Sequence, residues 1–148
     1  MSHRYTITAI SLHWLMALAF FGVLGLGFYM TDLSLSPTKL QLYSWHKWAG
    51  VSLFLLALVR LIWRALHRPP ALPSTMAPMA KWLAHAGHWV LYFFMFSIPL
   101  SGWLMSSAMG FQTVWFGVIP LPDLVERNKE LASLLGTTHL YLNLAFIA

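Results

Sequence analysis

Apolar residues gather into four long runs along the chain, and polar, proline-rich and charged segments separate the runs. The first three runs predict helices at about 8–30, 42–66 and 79–108, each long enough to cross a hydrocarbon core of about 30 Å. The fourth run, at about 130–148, still continues where the sequence stops, so this helix is predicted to be truncated. Short connections favour antiparallel neighbours. The pattern therefore predicts an all-α membrane protein, an up-and-down four-helix transmembrane bundle forming one domain over 1–148.

Three connections join the predicted helices. The first covers 31–40 and is expected to be a short loop. The second covers 67–78, whose four prolines exclude helix and favour extended backbone. The third covers 109–129, mixes glycine, proline and charged residues, and is expected to lie outside the bilayer as a longer loop. Pro99, inside the third apolar run, predicts a kink in that helix.

Composition supports a membrane protein. The chain is 59% hydrophobic and 9% charged, whereas soluble domains average about 25% charged residues. The absence of cysteine excludes disulfides, iron–sulfur clusters, thiolate zinc sites and covalently attached haem. The chain has only four carboxylates and none lies inside an apolar run, which leaves its seven histidines as the plentiful metal-ligand type. The net charge of +5 is too scattered to indicate nucleic-acid binding.

The basic residues favour one orientation in the bundle. One end carries five of them: Arg4, Arg60, Arg64, Arg68 and Lys81. The other end carries four, together with all the acids: Lys39, Lys47, Arg127 and Lys129, with Asp32, Asp123, Glu126 and Glu130. By the positive-inside tendency, the first end is predicted to be cytoplasmic, as is the N-terminus. The first apolar run is interpreted as a retained helix, since no small-residue cleavage pattern follows it.

The histidines of the apolar runs fall into two levels when helix rise converts position into depth. His46 and His139 lie near the outer ends of the second and fourth helices. His13, His85 and His88 share the cytoplasmic level. An ionisable ring inside an apolar helix is costly and indicates a functional site. Two imidazoles that face each other at one level suit axial ligation of a haem iron, or of zinc or copper.

Haem is the ligand that the neighbouring residues favour. A macrocycle needs small and aromatic residues near its ligands. Gly50 lies one turn beyond His46, and Trp48 lies between these two residues in the sequence. Glycines in the second half of the first helix leave room for a neighbouring helix or a flat ligand. They are Gly22, Gly25 and Gly27.

Other interpretations of these residues stay open. A histidine near a helix end is often only an interfacial residue bonded to a headgroup or a carbonyl. His85 and His88 are candidates to bind water, lipid phosphate or a haem propionate. Arg60 and Arg64 either anchor the cytoplasmic end or pair with haem propionates. Most tryptophans fit an interfacial aromatic belt. Two histidines outside the apolar runs are expected to be solvated: His3 and His67.

Four segments carry a resemblance to a known family. They are RYTITAISLHWLM with His13, YSWHKWAGVSLFLLALVRLIWR with His46, LAHAGHWVLYFFMFSIPLSGWLM with His88, and the final TTHLYLNLAFIA with His139. Together they cover nearly the whole chain, and their joint pattern is specific. In these segments the sequence resembles the bacterial cytochrome b561 family, four-helix membrane proteins with two non-covalent b haems.

The resemblance implies a ligand set. His46 and His139 correspond to the axial ligands of one haem b, and His13 to a ligand of the other. The second ligand of that other haem is expected about four turns beyond His139, which is past Ala148. Either the sequence is truncated or the haem at His13 has lost a ligand. His88, at the same level, is a geometrically possible substitute.

The predicted function is electron transfer in the bacterial inner membrane through bis-histidine haems. The resemblance implies ubiquinone as the acceptor and, for some members, superoxide as the donor, which would make the protein an oxidoreductase. Lys39 and Lys47 are candidates to attract an anionic donor. One alternative is a haem-bearing membrane anchor subunit of a dehydrogenase or hydrogenase. Another is a haem-free transporter or a zinc-binding membrane protein.

Overall fold

The structure is a computed structural model that describes residues 5–67 and 69–148. Its described residues form four helices: α1 (Ile7–Asp32), α2 (Pro37–Leu66), α3 (Pro78–Met109) and α4 (Lys129–Ile147). The predicted all-α membrane fold is confirmed. Three residues used in the sequence analysis lie outside the described residues: His3, Arg4 and Arg68.

The connection between α1 and α2 is shorter than predicted. Only residues 33–36 separate the two helices, so the expected loop over 31–40 is wrong in its extent. The hydroxyl of Ser36 accepts a hydrogen bond from the backbone N–H of Lys39, and Pro37 occupies the first turn of α2. Serine before a helix and proline at its first position are strong start signals, and they begin α2 five residues earlier than the apolar run does.

A short hairpin occupies the segment predicted to be a loop after α3. Gly110, with a φ of 79°, ends α3 in the left-handed conformation, and β1 (Val114–Trp115) then pairs antiparallel with β2 (Ile119–Pro120). The indole Nε1 of Trp48 on α2 donates to the Val114 carbonyl at 2.6 Å, and Trp115 Nε1 donates to the Trp48 carbonyl at 3.3 Å. These tryptophans therefore hold the hairpin against α2 rather than serving only in an interfacial belt.

The helices pack in chain order, α1 against α2, α2 against α3 and α3 against α4, as an up-and-down bundle requires. The buried core lies in the middle of the bundle. Its members are Met16, Phe20, Leu53, Ala57, Tyr92 and Met95. From α4, the ring of Phe146 joins this core with its centroid 5.6 Å from that of Phe20. The core thus separates the outer histidine level from the cytoplasmic one.

The outer surfaces of the helices are apolar. Leu18 and Trp89, for example, are 70% and 72% exposed. In a membrane protein such side chains face lipid, because hydrocarbon rather than water surrounds the bundle. Three of the described helices, α1, α2 and α3, are long and apolar enough to cross a bilayer. The assignment of α4 as a fourth membrane span stays a prediction.

Candidate functional site

The structure places the rings of His46 and His139 next to each other, with the edge of one towards the face of the other. Their ring centroids are 6.4 Å apart and their planes are inclined by 84°. His46 comes from α2 and His139 from α4, and both are partly buried inside the bundle. Helix rise alone predicted that these two rings share a level. We call them the outer pair.

Two glycines on the other helices make room for the outer pair. A Cβ added to Gly27 on α1 would lie 3.1 Å from Cε1 of His46, and one added to Gly102 on α3 would lie 3.2 Å from Cε1 of His139. Each ring therefore lies directly against the backbone of a neighbouring helix. Gly27 was among the glycines predicted to leave room for a neighbour, and Gly50, predicted to leave room for a macrocycle beside His46, faces open space. Sequence spacing indicates which residues are neighbours within one helix. It therefore did not identify the contact of Gly102 on α3 with His139 on α4.

Hydrogen bonds fix the tautomer of His139. Its Nδ1 lies 3.0 Å from the carbonyl oxygen of Ile98 and 2.9 Å from Oγ of Ser101. A carbonyl oxygen has no proton to give, so Nδ1 must carry the ring proton of the neutral imidazole. The Nε2 lone pair is then free to bind a metal.

His46 lacks such a bond. Its Nδ1 is buried and has no hydrogen-bond partner among the described residues. Buried polar atoms in proteins are nearly always hydrogen-bonded, so an exception needs an explanation. Nδ1 of His46 lies against the α1 backbone at Gly27, so Nε2 is the nitrogen of this ring that is available to a metal.

A large cavity opens beside His139, whereas His46 is not among its lining residues. Its volume is about 1030 Å³, at the upper end of the range of about 300–1,000 Å³ that is typical of cofactor and ligand sites. All four helices line it, mostly with apolar side chains. His139, Tyr43 and Asn143 are among its polar lining residues, together with Lys39 and Lys47.

The two lysines of the cavity are bound to neutral oxygens. Nζ of Lys39 donates to the carbonyls of Thr31 and Leu33 at the end of α1. Nζ of Lys47 donates to Oγ of Ser106 at 3.3 Å and to the Phe111 carbonyl at 3.4 Å. These partners hold the ammonium groups in place without neutralising them, although Asp123 is close enough to attract Lys47, so the cavity has a positive rim mainly at Lys39.

The cytoplasmic level is arranged differently. Nη2 of Arg60 lies 3.1 Å from Nδ1 of His13, and arginine has only donors, so this nitrogen must hold a lone pair. The ring proton of neutral His13 is then on Nε2. The guanidinium carbons of Arg60 and Arg64 lie 5.9 Å and 5.8 Å from the centroid of the Tyr92 ring, within cation–π distance. We call these four residues the inner cluster.

The remaining histidines are exposed. Nδ1 of His88 contacts the carbonyl of Ala84 in its own helix at 2.6 Å, and His85 lies one turn away on the surface of α3. His67, predicted to be solvated, is exposed with its ring stacked on Trp63 at 3.9 Å. The role of His88 as a haem ligand stays a prediction, as do the roles of Arg60 and Arg64 toward propionates.

The outer pair fits a haem. Two imidazoles that each held one metal ion through a nitrogen about 2 Å away would have ring centres at most about 6 Å apart, close to the 6.4 Å observed. Among the described residues no group of three or more His, Cys, Asp or Glu could hold a metal ion, but the macrocycle itself would supply four ligands. In the inner cluster, Nε2 of His13 carries the proton as long as Arg60 donates to Nδ1, so Nε2 would bind a metal only after that contact is broken.

The sequence also matches a known family and known proteins. Residues 4–148 match the family described as "Prokaryotic cytochrome b561". The chain is 31% identical over 140 residues to "Cytochrome b561 homolog 2" of Escherichia coli (strain K12), covering 94% of this chain and 74% of that protein. It is 28% identical to "Probable superoxide oxidase CybB" of Yersinia pestis, covering 96% of this chain and 80% of that protein.

Proposed function

The chain belongs to the prokaryotic cytochrome b561 family of membrane electron-transfer proteins, and from this premise we propose that His46 and His139 would hold a haem b. The observation that supports the proposal is the outer pair itself, two neighbouring imidazoles of which one, His139, lines a largely apolar cavity. When bound, the haem would supply a one-electron Fe(III)/Fe(II) couple.

The chain's own residues would prepare the site for that chemistry. His139 presents Nε2 because its Nδ1–H is held by α3. The backbone at Gly27 and Gly102 restricts how far either ring can tilt. Apolar side chains of the cavity would exclude water and lower the local dielectric constant, which influences the reduction potential.

We further propose superoxide as the electron donor and a quinone as the acceptor. The similarity to "Probable superoxide oxidase CybB" supports the donor, and the general link of the family to quinones supports the acceptor. The balanced reaction oxidises two superoxide ions to two molecules of dioxygen while one quinone takes up two electrons and two protons to form a quinol. Lys39 and Lys47 would attract the anionic donor toward the cavity.

The proposed location is the bacterial inner membrane, with the N-terminus cytoplasmic. Lys81, Arg60 and Arg64 lie toward the end of the bundle assigned to the cytoplasm. The cavity then opens on the opposite side of the membrane. A second haem at His13 stays a prediction, since the inner cluster does not leave Nε2 of His13 free, and no step is assigned to it.

Absorbance and stopped-flow measurements on the purified protein test this function. The reduced protein is expected to show the absorbance of a b-type haem, and superoxide is expected to reduce it. Lys39→Gln combined with Lys47→Gln is expected to slow that reduction by about tenfold at low salt, because steering falls with the local positive charge. Lys81→Gln, at the other end of the bundle, is the matched control and should not change the rate.

Three results would contradict the proposal at different points. A colourless pure protein would reject haem binding altogether. A coloured protein that superoxide does not reduce would reject the donor. An unchanged rate and salt dependence in the double lysine variant would reject the steering role while leaving the haem site intact.

A further inference from the structure

Three atoms form a closed triangle behind His139. Oγ of Ser101 donates to the Ile98 carbonyl at 2.8 Å, and both oxygens lie within 3.0 Å of Nδ1 of His139. Ser101 is 6% exposed, so water does not compete for its hydroxyl. This hydroxyl belongs to the third helix, which contributes no residue to the proposed ligand set.

Counting protons gives the direction of each bond. The triangle contains two protons that can be donated, one on the hydroxyl and one on Nδ1. The Ile98 carbonyl can only accept, and it receives the hydroxyl proton. The Nδ1–H therefore points at the Ser101 oxygen and the Ile98 carbonyl together. Only the Nδ1–H tautomer satisfies all three atoms.

The local structure of α3 presents these groups on one face. Ile98, Ser101 and Gly102 are related by three and four residues, the spacing of neighbours on a helix surface. Gly102 lets the imidazole approach the backbone, because a Cβ there would lie 3.2 Å from the ring. The hydroxyl one residue earlier then meets Nδ1.

We propose that Ser101 is a positioning residue for His139, which fixes its tautomer and sets the reduction potential of the haem that it binds. The proposal rests on the haem site proposed above. An acceptor at Nδ1–H makes the imidazole a more basic ligand, and a more basic ligand stabilises Fe(III) over Fe(II). Removing the Ser101 hydroxyl leaves the Ile98 carbonyl as the single acceptor for the Nδ1–H of His139. The imidazole is then a less basic ligand, so the Fe(III)/Fe(II) equilibrium moves toward Fe(II).

Redox titration of the haem-loaded full chain tests the inference. Ser101→Ala is expected to shift the Fe(III)/Fe(II) equilibrium toward Fe(II) by up to about tenfold, which raises the midpoint potential by up to about 59 mV. Haem per protein is expected to fall as well, since outer-shell partners contribute to metal affinity. The matched control is Ser97→Ala, one turn earlier in α3, because the buried Ser97 hydroxyl has no hydrogen-bond partner among the described residues.

Ser101→Thr separates the hydroxyl from the packing of the side chain. It retains the oxygen and is expected to keep the potential close to that of the wild type. If Ser101→Ala leaves the potential and the haem content unchanged, or if Ser101→Thr or Ser97→Ala shifts them equally, the role of Ser101 is wrong. A wild-type protein without haem would instead reject the proposed function, so the two failures are distinguishable.

Discussion

His139 of the outer pair and His13 of the inner cluster are held as opposite tautomers. Nδ1 of His139 meets a carbonyl oxygen, which only accepts, whereas Nδ1 of His13 meets a guanidinium, which only donates. The first arrangement leaves Nε2 with a free lone pair, and the second puts a proton there. The identity of one neighbouring group therefore decides which nitrogen is available to a metal, although both residues are histidines in apolar helices.

The two regions also differ in enclosure. Both rings of the outer pair are partly buried and lie against glycine backbone, and His139 lines the cavity. His13 is exposed and contacts the flexible side chain of Arg60. Rigid support on several sides is typical of preorganised ligand sites. The outer pair meets this criterion within the described residues.

Of the substitutions that test this difference between the two regions, removing one imidazole of the outer pair is expected to have the largest effect. His46→Ala and His139→Ala are each expected to abolish haem binding at the outer pair, because one imidazole alone leaves an axial position open and the other ring without its counterpart. Haem per protein and the absorbance of the reduced protein measure the effect. The outer haem is expected to persist in His13→Ala.

His85→Ala provides the control, since it removes an exposed histidine from α3 without touching either region. Retention of the full haem content in both His46→Ala and His139→Ala would refute the pairing. Loss of the outer haem in His13→Ala would show that the two regions are not independent.

A smaller change tests the support behind the rings. Gly27→Ala and Gly102→Ala each place a Cβ close to an imidazole, and overpacking of this kind costs about 1–3 kcal/mol. We expect weaker haem retention in both variants, measured as the rate of haem transfer to an excess of an apo-haemoprotein. Gly25→Ala in the same helix as Gly27 is the matched control, because its Cβ would enter open space. Equal rates of haem transfer in all three variants would mean that the contact of the imidazoles with Gly27 and Gly102 does not contribute to haem retention.

Most of the bundle could be predicted from the sequence because its pattern is long and apolar. The helices and the shared level of His46 and His139 follow from run length and helix rise alone. The early start of α2 could also have been found, since Ser36 and Pro37 are local start signals. Helix boundaries depend on such single residues more than on the apolar run.

The contacts between helices could not be predicted. Which glycine meets which ring depends on helix rotation and crossing, so spacing within one helix did not predict the contact between Gly102 and His139. The bond between Ser101 and His139 joins residues 38 positions apart, and no local pattern encodes it. The hairpin was not predicted because strands of two residues are too short to show the alternation of apolar and polar residues that indicates a strand.

The smallest expected effect lies in the inner cluster. Arg60→Leu removes both the hydrogen bond to His13 and the contact with Tyr92, whereas Arg64→Leu removes only a contact with Tyr92. The difference between the two variants therefore isolates the bond to His13. Because His13 is exposed, we expect this difference to be about 0.5 kcal/mol, at the lower end for a hydrogen bond. Thermal unfolding in one detergent measures it.

Measuring the haem bound at the outer pair in Arg60→Leu and Arg64→Leu gives a second test of whether the two regions are independent. The apolar core separates the two levels, so neither substitution should change haem binding at His46 and His139. If Arg60→Leu frees Nδ1 of His13, the ring can adopt the tautomer that His139 already has, and any additional haem bound by this variant would show that Arg60 restricts the inner site. No difference in stability between Arg60→Leu and Arg64→Leu would instead mean that the bond at 3.1 Å contributes nothing measurable.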